Sequence, residues 1–283
     1  MHDTTYFNGK NVIITGGSSG IGKATAKRLA AAGANVFIIA RGKERLIAAE
    51  AEIVRCAADP QQRFAWYALD VADGTAIEEC IYEIAQRWGS PDMLINSAAI
   101  ARPGYVEELP LEVFKDSMDI DYMGTVNAVK AVLPYLIAKK QGHVTNIGSM
   151  AGLIGVFGYT AYSGAKFAVT GFTQSLRAEL LRYNVRVSLL CPPDTDTPQL
   201  HEENRYKPAE TRAITGAAKM MSPDDVARCL LNGMAKKQFL ILPNFESRMI
   251  VRLTRFCPWL VTAVMDAQVR RIQKQGGHNP PQS

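Results

Sequence analysis

Asn11-Val-Ile-Ile-Thr-Gly-Gly-Ser-Ser-Gly-Ile-Gly22 is the stretch that decides the fold of this 283-residue chain. Its first five residues are mainly apolar and β-branched, which predicts a strand, and Lys23 to Ala32 then carries helix-forming residues. A strand, a glycine turn and a helix in this order form the context of a dinucleotide-binding fingerprint. We expect Gly16 to make the tight turn, Gly20 to let the backbone approach a pyrophosphate and Gly22 to let the helix pack closely on the strand. The alternative is a glycine-rich turn that binds no ligand.

The residues around this turn predict which dinucleotide binds. Free amides at the helix N-terminus would face the phosphates. The candidate contacts in the turn are Gly16, Ser18, Ser19, Gly20 and Ile21. The next apolar run, Asn35 to Ala40, ends at Arg41, and Lys43 follows two residues on. An acidic residue here would bind the ribose 2′-hydroxyl of NAD, whereas a guanidinium suits the 2′-phosphate of NADP. We therefore expect NADPH as the cofactor; the alternative is a solvated basic loop.

Short apolar runs recur along the chain, and longer helical stretches separate them. The runs lie near residues 11–15, 35–40, 64–69, 92–95, 143–148, 185–190 and 238–242. This alternation predicts an α/β fold, a doubly wound parallel sheet with helices on both faces. No Pro/Gly/Ser-rich linker or repeat divides the chain, so we expect one domain over residues 1–245.

The composition argues against several classes of function. The net charge is +5, and the basic residues are spread without the aromatic interleaving of a nucleic-acid-binding face. The five cysteines are scattered, the four histidines are isolated and no spacing suits zinc, so we expect no metal. The odd number of cysteines and the polar start, Met1 to Asn8, favour a cytoplasmic protein without a signal peptide.

Tyr162-Ser-Gly-Ala-Lys166 and Ser149 form a candidate proton-transfer group. Tyr162 and Lys166 are four residues apart, so they share one face of a helix. A buried ammonium beside a phenol would lower the tyrosine pKa from about 10 towards the working pH. Ser149 follows an apolar run from His143 to Ile147, and its hydroxyl could bond a carbonyl oxygen that Tyr162 protonates. Taken alone, the Tyr-x-x-x-Lys spacing also arises by chance on many helices.

Together these motifs resemble the short-chain dehydrogenase/reductase superfamily. The resemblance rests on four motifs in order: Thr15-Gly-x-x-x-Gly-x-Gly22, Asn96-Ser-Ala-Ala99, Ser149 and Tyr162-x-x-x-Lys166. It implies a single Rossmann-type domain and hydride transfer at the nicotinamide C4. It also implies a homo-oligomer, either a dimer or a tetramer, built through the helices near residues 110–139 and 160–183.

The resemblance also implies roles for individual residues. Tyr162 would be the acid or base, Lys166 would lower its pKa and hold the nicotinamide ribose, and Ser149 would position the substrate oxygen. The residues implied at the rest of the cofactor are Asp70 and Val71, flanking the adenine ring, and Asn96, beside the cofactor.

Two positions depart from the family pattern. The usual Asn-Asn-Ala-Gly is Asn96-Ser-Ala-Ala99 here, so this turn lacks its glycine. The family's active-site asparagine, in an Asn-Tyr-x-Gly segment, is Asp121 in Asp121-Tyr-Met-Gly124. In the family this residue helps to complete a proton relay to the lysine. An ionised aspartate accepts hydrogen bonds but cannot donate them, and it would compete with Tyr162 for the charge of Lys166.

The loop after the sixth apolar run carries a finer resemblance. Cys191-Pro-Pro-Asp-Thr-Asp-Thr-Pro198, followed by His201-Glu-Glu-Asn204, is similar to the 3-ketodihydrosphingosine reductase subfamily. This implies that NADPH reduces 3-ketosphinganine, a long-chain keto-amine lipid. The candidate cofactor contacts here are Pro192, Asp194, Thr195 and Thr197. A proline-stiffened turn is the alternative for this loop. Two other functions stay open for the chain: a reductase for another lipid or steroid ketone, and a non-catalytic NADP(H)-binding regulator.

The segment from Phe245 to Lys274 interleaves apolar residues with arginines. Its longest apolar run, Phe256 to Met265, is shorter than the about 20 residues that span a bilayer, and Pro258 interrupts it. We predict a helical extension over residues 246–283 that ends in a polar tail. An Arg-rich amphipathic segment with Trp and Phe can lie in a membrane interface, here peripherally on the cytosolic face. The alternative is a helix pair that packs on the domain or on a partner subunit.

Overall fold

The computed structural model describes residues 4–216 and 220–274. In these residues, seven strands form one parallel sheet in the order β3-β2-β1-β4-β5-β6-β7. The strands are β1 Asn11–Thr15, β2 Asn35–Ala40, β3 Phe64–Ala68, β4 Met93–Asn96, β5 Gly142–Ile147, β6 Val185–Leu190 and β7 Leu240–Ile241. The first six predicted runs match their strands to within one residue, whereas the last shortens to two residues.

Helices connect the strands and cover both faces of the sheet. They are α1 Gly20–Ala31, α2 Lys43–Val54, α3 Gly74–Trp88, α4 Leu111–Ser117, α5 Gly124–Lys139, α6 Thr160–Leu180, α7 Pro198–Tyr206, α8 Ala209–Thr215, α9 Pro223–Ala235, α10 Phe245–Phe256 and α11 Pro258–Lys274. A π-helical turn, Met118–Met123, joins α4 to α5.

The core consists of two apolar layers, one on each face of the sheet. Side chains alternate along a strand, so Val12 and Ile14 of β1 pack with α1, α2 and α9, whereas Ile13 packs with α3 and α5. Both faces are covered, which explains why the strands read as continuous apolar runs. The predicted fold class, a doubly wound parallel sheet, is confirmed.

Helices α10 and α11 form a C-terminal pair that packs on α8. Pro258 begins α11, so the proline breaks the segment into two helices. Burial in the pair is shallow: α11 has no fully buried residue, and Phe256 and Trp259 are 77% and 70% exposed. The predicted extension is helical to Lys274, and its polar tail at 275–283 lies outside the described residues. None of the helices in residues 4–216 and 220–274 is long and apolar enough to cross a membrane.

Candidate active site

The carboxyl ends of β1, β4, β5 and β6 meet at one edge of the sheet, and the strand order reverses between β1 and β4. In open parallel sheets, ligands bind in the crevice at such a switch point. The glycine turn follows β1, Asn96 ends β4, Ser149 follows β5 and the loop 191–197 follows β6. The structure therefore brings the motifs predicted from the sequence to the same edge.

The turn after β1 packs so tightly that it excludes side chains. Gly16 has a φ of +67°, and a Cβ there would lie 2.6 Å from the backbone nitrogen of Ala98. A Cβ on Gly22 would overlap the carbonyl oxygen of Gly16. Helix α1 begins at Gly20, three residues before its predicted start, and its N-cap Ser19 makes no side-chain capping hydrogen bond. This uncapped helix end and its bare backbone fit the pyrophosphate of a dinucleotide.

Arg41 and Lys43 lie at the carboxyl end of β2, on the solvent side of the crevice. One guanidinium nitrogen of Arg41 lies 3.6 Å from Oδ2 of Asp70, and the two side chains are 59% and 40% exposed. Lys43 Nζ lies 5.9 Å from the centre of the Trp66 ring. Val71, next to Asp70, is buried. An exposed ion pair is weak, so an anionic group can take the place of Asp70 at Arg41.

A buried polar network ties the strand ends together beneath the crevice. Asn96 Nδ2 donates to Asn146 Oδ1 at 2.9 Å, and its Oδ1 accepts from the Thr15 hydroxyl at 3.4 Å. Asn146 Nδ2 in turn donates to Thr173 Oγ1 at 2.9 Å. The side chain of Asn96 therefore takes part in hydrogen bonds that connect β1, β4, β5 and α6. Its contact with a cofactor stays a prediction. Asn146 and Thr173 were not predicted as part of the site; the one signal for Asn146 was a polar residue inside an apolar run, and Thr173 lies on α6 without such a signal.

Ser149 and Tyr162 face each other across the end of β5. Ser149 Oγ accepts a hydrogen bond from the backbone N–H of Ala151 at 3.1 Å, which caps the short 3-10 turn Met150–Gly152. Tyr162 lies in the first turn of α6, and the Ser149 side chain is near enough to its phenol to lower its pKa, against the larger effect of burial, which raises it. The serine hydroxyl is thus fixed beside the phenol, where both could contact one substrate oxygen.

Lys166 lies one turn further along α6, and its side chain is 3% exposed. Its Nζ donates to the carbonyl oxygen of Ile147 at 3.3 Å, lies 3.3 Å from Oδ2 of Asp121 and lies 5.5 Å from the centre of the Tyr162 ring. Asp121 sits in the π-helical turn, and its Oδ1 accepts from the Ile100 N–H at 2.8 Å. Burial raises the pKa of Asp121, while the Lys166 charge and the Ile100 N–H oppose that rise. The structure therefore brings Asp121, Lys166 and Tyr162 together.

The direction in which the pKa of Tyr162 shifts differs from the sequence prediction. The sequence predicted that Lys166 lowers the pKa of Tyr162, but burial, followed by the negative charges of Glu203 and Asp121, raises it well above its ordinary value of 10. The prediction was wrong because it counted one cation and left out burial, the largest cause, and the nearby carboxylates. A raised pKa keeps Tyr162 in its phenol form, which is the form that donates a proton.

The loop after β6 folds onto the glycine turn. Thr197 caps α7, since its Oγ1 accepts from the Leu200 N–H at 3.2 Å. The methyl group of Thr197 faces Gly20, where a Cβ would lie 3.1 Å from it. The hydroxyl of Thr195 donates to the carbonyl oxygen of Pro193 at 2.9 Å. Both threonine hydroxyls therefore shape the loop, and their contacts with a cofactor stay predictions.

Two further residues of this loop link it to its neighbours. The carbonyl oxygen of Pro192 accepts from the backbone N–H of Met150 at 3.1 Å, which joins the loop to the turn after Ser149. Asp194 Oδ2 lies 3.3 Å from Lys207 Nζ, which joins the loop to the end of α7. Pro192 and Asp194 are therefore held in place between the Ser149 turn and α7.

Helices α7 and α8 and the short link between them bury charged residues to which the sequence analysis assigned no role: Glu203, Lys207 and Glu210. Glu203 Oε2 accepts from the Tyr159 hydroxyl at 2.6 Å, and the rings of Tyr159 and Tyr162 are 5.6 Å apart. In the sequence, a helix with neighbouring glutamates resembles a solvated one, because charged residues are rarely buried unless they are paired. Only the folded structure shows that the carboxylate of Glu203 is buried close to Tyr162.

The comparisons with known proteins agree with this geometry. Residues 10–208 match the family model described as short chain dehydrogenase. The chain belongs to the short-chain dehydrogenase family, so it is an oxidoreductase of the class that uses NAD or NADP.

The relatives of the chain indicate a more specific group within this class of oxidoreductases. The chain is 37% identical over 248 residues to a 3-dehydrosphinganine reductase of Danio rerio, with 87% of this chain and 75% of that protein covered. It is 36% identical over 247 residues to a 3-ketodihydrosphingosine reductase of Bos taurus, with coverages of 87% and 74%. Among solved structures, levodione reductase superposes with a TM-score of 0.77 at 25% identity, over 86% of this chain and 99% of that one.

Proposed function

We propose that this protein reduces 3-ketosphinganine to sphinganine with NADPH. The observation that carries the proposal is the convergence of Ser149, Tyr162 and Lys166 at the sheet edge, in a chain whose relatives are 3-ketosphinganine reductases. The glycine turn and the uncapped start of α1 support a dinucleotide in the crevice. The exposed guanidinium of Arg41 supports NADPH over NADH, since it suits a 2′-phosphate.

The residues of the chain would act on the ketone oxygen. The glycine turn and Lys166 would hold the dinucleotide, and its nicotinamide would supply the hydride that the carbonyl carbon accepts. Tyr162 holds the proton on its hydroxyl and gives it to the oxygen, and Ser149 donates a hydrogen bond to the same oxygen. Lys166 places an ammonium below the ring of Tyr162, which stabilises the phenolate left by the proton transfer. The carboxyl group of the buried Asp121 lies 3.3 Å from that ammonium and helps to hold it in place.

The direct test is NADPH oxidation by the purified protein with long-chain 3-ketosphinganine. We expect turnover, and we expect Tyr162→Phe to lower kcat by about 10²–10⁴-fold while NADPH still binds, because only a positioned acid is lost. The matched control is Tyr82→Phe, which removes a hydroxyl from a tyrosine that is 59% exposed on α3. A near-normal kcat for Tyr162→Phe would remove Tyr162 from the mechanism.

The same assay separates the remaining functions. Turnover of steroid ketones or other lipid ketones, with 3-ketosphinganine left unreacted, would assign the site to another substrate. NADPH binding without turnover of any ketone would assign it to a regulator, which the aspartate at position 121 favours.

We also propose how the protein associates. The C-terminal pair α10–α11 would be a distinct extension of the domain over 1–245, and its exposed Phe256 and Trp259 would touch a membrane surface. A homo-oligomer would form through α4, α5 and α6, which carry the exposed apolar side chains of Leu111 and Phe167. Size-exclusion chromatography with light scattering tests the oligomer.

A further inference from the structure

Glu203 is a buried carboxylate close to Tyr162, with Tyr159 between the two residues. Its residue is 6% exposed, and it lies in α7, directly after the loop that folds onto the glycine turn. Its Oε2 accepts from the Tyr159 hydroxyl at 2.6 Å, and its Oε1 accepts from Gln199 Nε2 at 2.9 Å. Tyr159 precedes Tyr162 by three residues, and their rings are 5.6 Å apart. The Tyr159 side chain therefore connects the carboxylate of Glu203 to the ring of the proposed proton donor, Tyr162.

No basic side chain in the described part of the chain forms an ion pair with Glu203. The cation that acts on it, Lys207, lies 3.3 Å from Oδ2 of Asp194 instead. The other buried ammonium, Lys166, pairs with Asp121. Glu203 is thus left without a cation of its own, because each of the two buried ammonium groups lies beside another carboxylate.

A buried carboxylate without a cation is costly to a fold, and burial accordingly raises the pKa of Glu203; a bound cation would offset this cost. A carboxylate offers about four acceptor sites on its two oxygens. The bonds from Tyr159 and Gln199 fill two of them, so Glu203 keeps acceptor sites for a ligand. The neighbouring Glu202 differs in each respect, since it is 51% exposed and already pairs with Arg205 at 2.8 Å.

The proposed substrate has a cation at the matching place. In 3-ketosphinganine, C2 carries an ammonium group and is bonded directly to C3, the carbon of the ketone. A ketone oxygen held by Tyr162 and Ser149 would therefore place the ammonium beside the reacting carbonyl. We propose that Glu203 binds this ammonium group and so selects 2-amino ketones over plain long-chain ketones. This inference rests on the proposed function, because it names the group that the same site recognises.

The competing explanation is a structural role. In that case the bond from Tyr159 to Glu203 would only fix α7 against α6, and the identity of the group at C2 would not matter to the enzyme. The two explanations differ in how the rate depends on the substrate.

The experiment compares two substrates and two variants. The substrates are 3-ketosphinganine and its analogue of equal chain length that carries hydrogen in place of the C2 amine. The variants are Glu203→Gln, which keeps the size and an acceptor oxygen for Tyr159, and Glu202→Gln, which makes the same change on the exposed side of α7. The readouts are kcat/KM for each substrate, NADPH affinity and thermal unfolding.

We expect the native protein to prefer the amino ketone by roughly ten- to hundredfold in kcat/KM, which is the size of a hydrogen bond to a charged group. Glu203→Gln should remove most of this preference by lowering the rate with the amino ketone alone, and Glu202→Gln should leave both rates unchanged. Equal losses on both substrates would overturn the proposal in favour of the structural role.

If Glu203→Gln fails to fold, two results with the native protein would still overturn the proposal. A native protein that reduces both ketones equally well has no ammonium site, although its reductase activity stands. A native protein that reduces neither ketone contradicts the proposed function itself, and the ammonium site with it.

Discussion

Charged side chains are exposed on the cofactor side of the sheet edge and buried on the substrate side. On the cofactor side, Arg41 and Asp70 are 59% and 40% exposed and lie 3.6 Å apart. On the substrate side, Lys166 and Asp121 are 3% and 0% exposed and lie 3.3 Å apart. An exposed pair contributes about 0–1 kcal/mol, whereas removing one partner of a buried pair costs about 3–5 kcal/mol. Cofactor preference can therefore change with little effect on folding, while the proposed catalytic lysine is tied to the stability of the domain.

The largest expected effect comes from breaking the buried pair. Lys166→Ala should lower the free energy of unfolding by about 3–5 kcal/mol, because it leaves Asp121 buried without a cation. Arg41→Ala, the matched change on the cofactor side, should lower it by no more than about 1 kcal/mol. Urea unfolding of the two variants measures both values, and equal losses would break the comparison. The double variant Lys166→Met/Asp121→Leu should regain much of the stability without regaining activity, since an apolar pair needs no desolvation.

The next effect tests the cofactor side. Arg41→Asp should raise KM for NADPH by roughly ten- to hundredfold and KM for NADH much less, because a bond to the 2′-phosphate is lost. The unfolding free energy should stay close to that of the native protein. Arg55→Asp, the same charge change at the far end of α2, is the control. Equal effects of Arg41→Asp on the KM values of both cofactors would show that Arg41 does not bind the 2′-phosphate.

A smaller effect is expected from Asp121→Asn, which restores the residue that the family has at this position. The negative charge of Asp121 raises the pKa of Tyr162, so its removal lowers that pKa. Ketone reduction needs the phenol form, and the alkaline limb of the kcat–pH profile should therefore move to lower pH, with less than about a tenfold change in kcat. If the whole profile stays unchanged, the relay runs through the main chain and the carboxylate has no part in it.

The smallest effect on turnover is expected from the C-terminal pair, α10 and α11, where burial is shallow. Phe256→Ser and Trp259→Ser change side chains that are 77% and 70% exposed, so folding and kcat in detergent should be unchanged. Sedimentation with anionic liposomes should fall several-fold for these variants if the pair lies in a membrane interface.

A chain truncated before Phe245 tests the alternative for the same pair. If the truncated protein folds and binds liposomes as well as the full chain, or if neither binds, the membrane role is wrong. If the truncated protein fails to fold, the pair belongs to the structural core of the domain.

The strand positions and the glycine turn could be predicted from the sequence, whereas the buried polar contacts around the site could not. Strand positions and the glycine turn follow from local patterns, because a β-branched run and a glycine at φ +67° leave few alternatives. The bond between Asn96 and Asn146 joins residues 50 positions apart, and no local pattern specifies it. Glu203 escaped notice because α7 is polar along its length, and only the folded loop buries one of its two adjacent glutamates. The error for Tyr162 has the same origin, since its pKa depends first on burial in the fold and then on carboxylates from other elements.

The polar network beneath the crevice can be completed only late in the synthesis of the chain. Its members run from Thr15 to Thr173, so no early segment of the chain contains the whole network. At about 5–20 residues per second, a ribosome delivers its last member roughly 10 to 30 seconds after its first. For the first part of that interval β1 lacks its partner β4, and the glycine turn lacks its contact with Ala98. The nascent chain therefore exposes an unpaired, mostly apolar strand edge for several seconds, which makes this protein a candidate client for chaperones during synthesis.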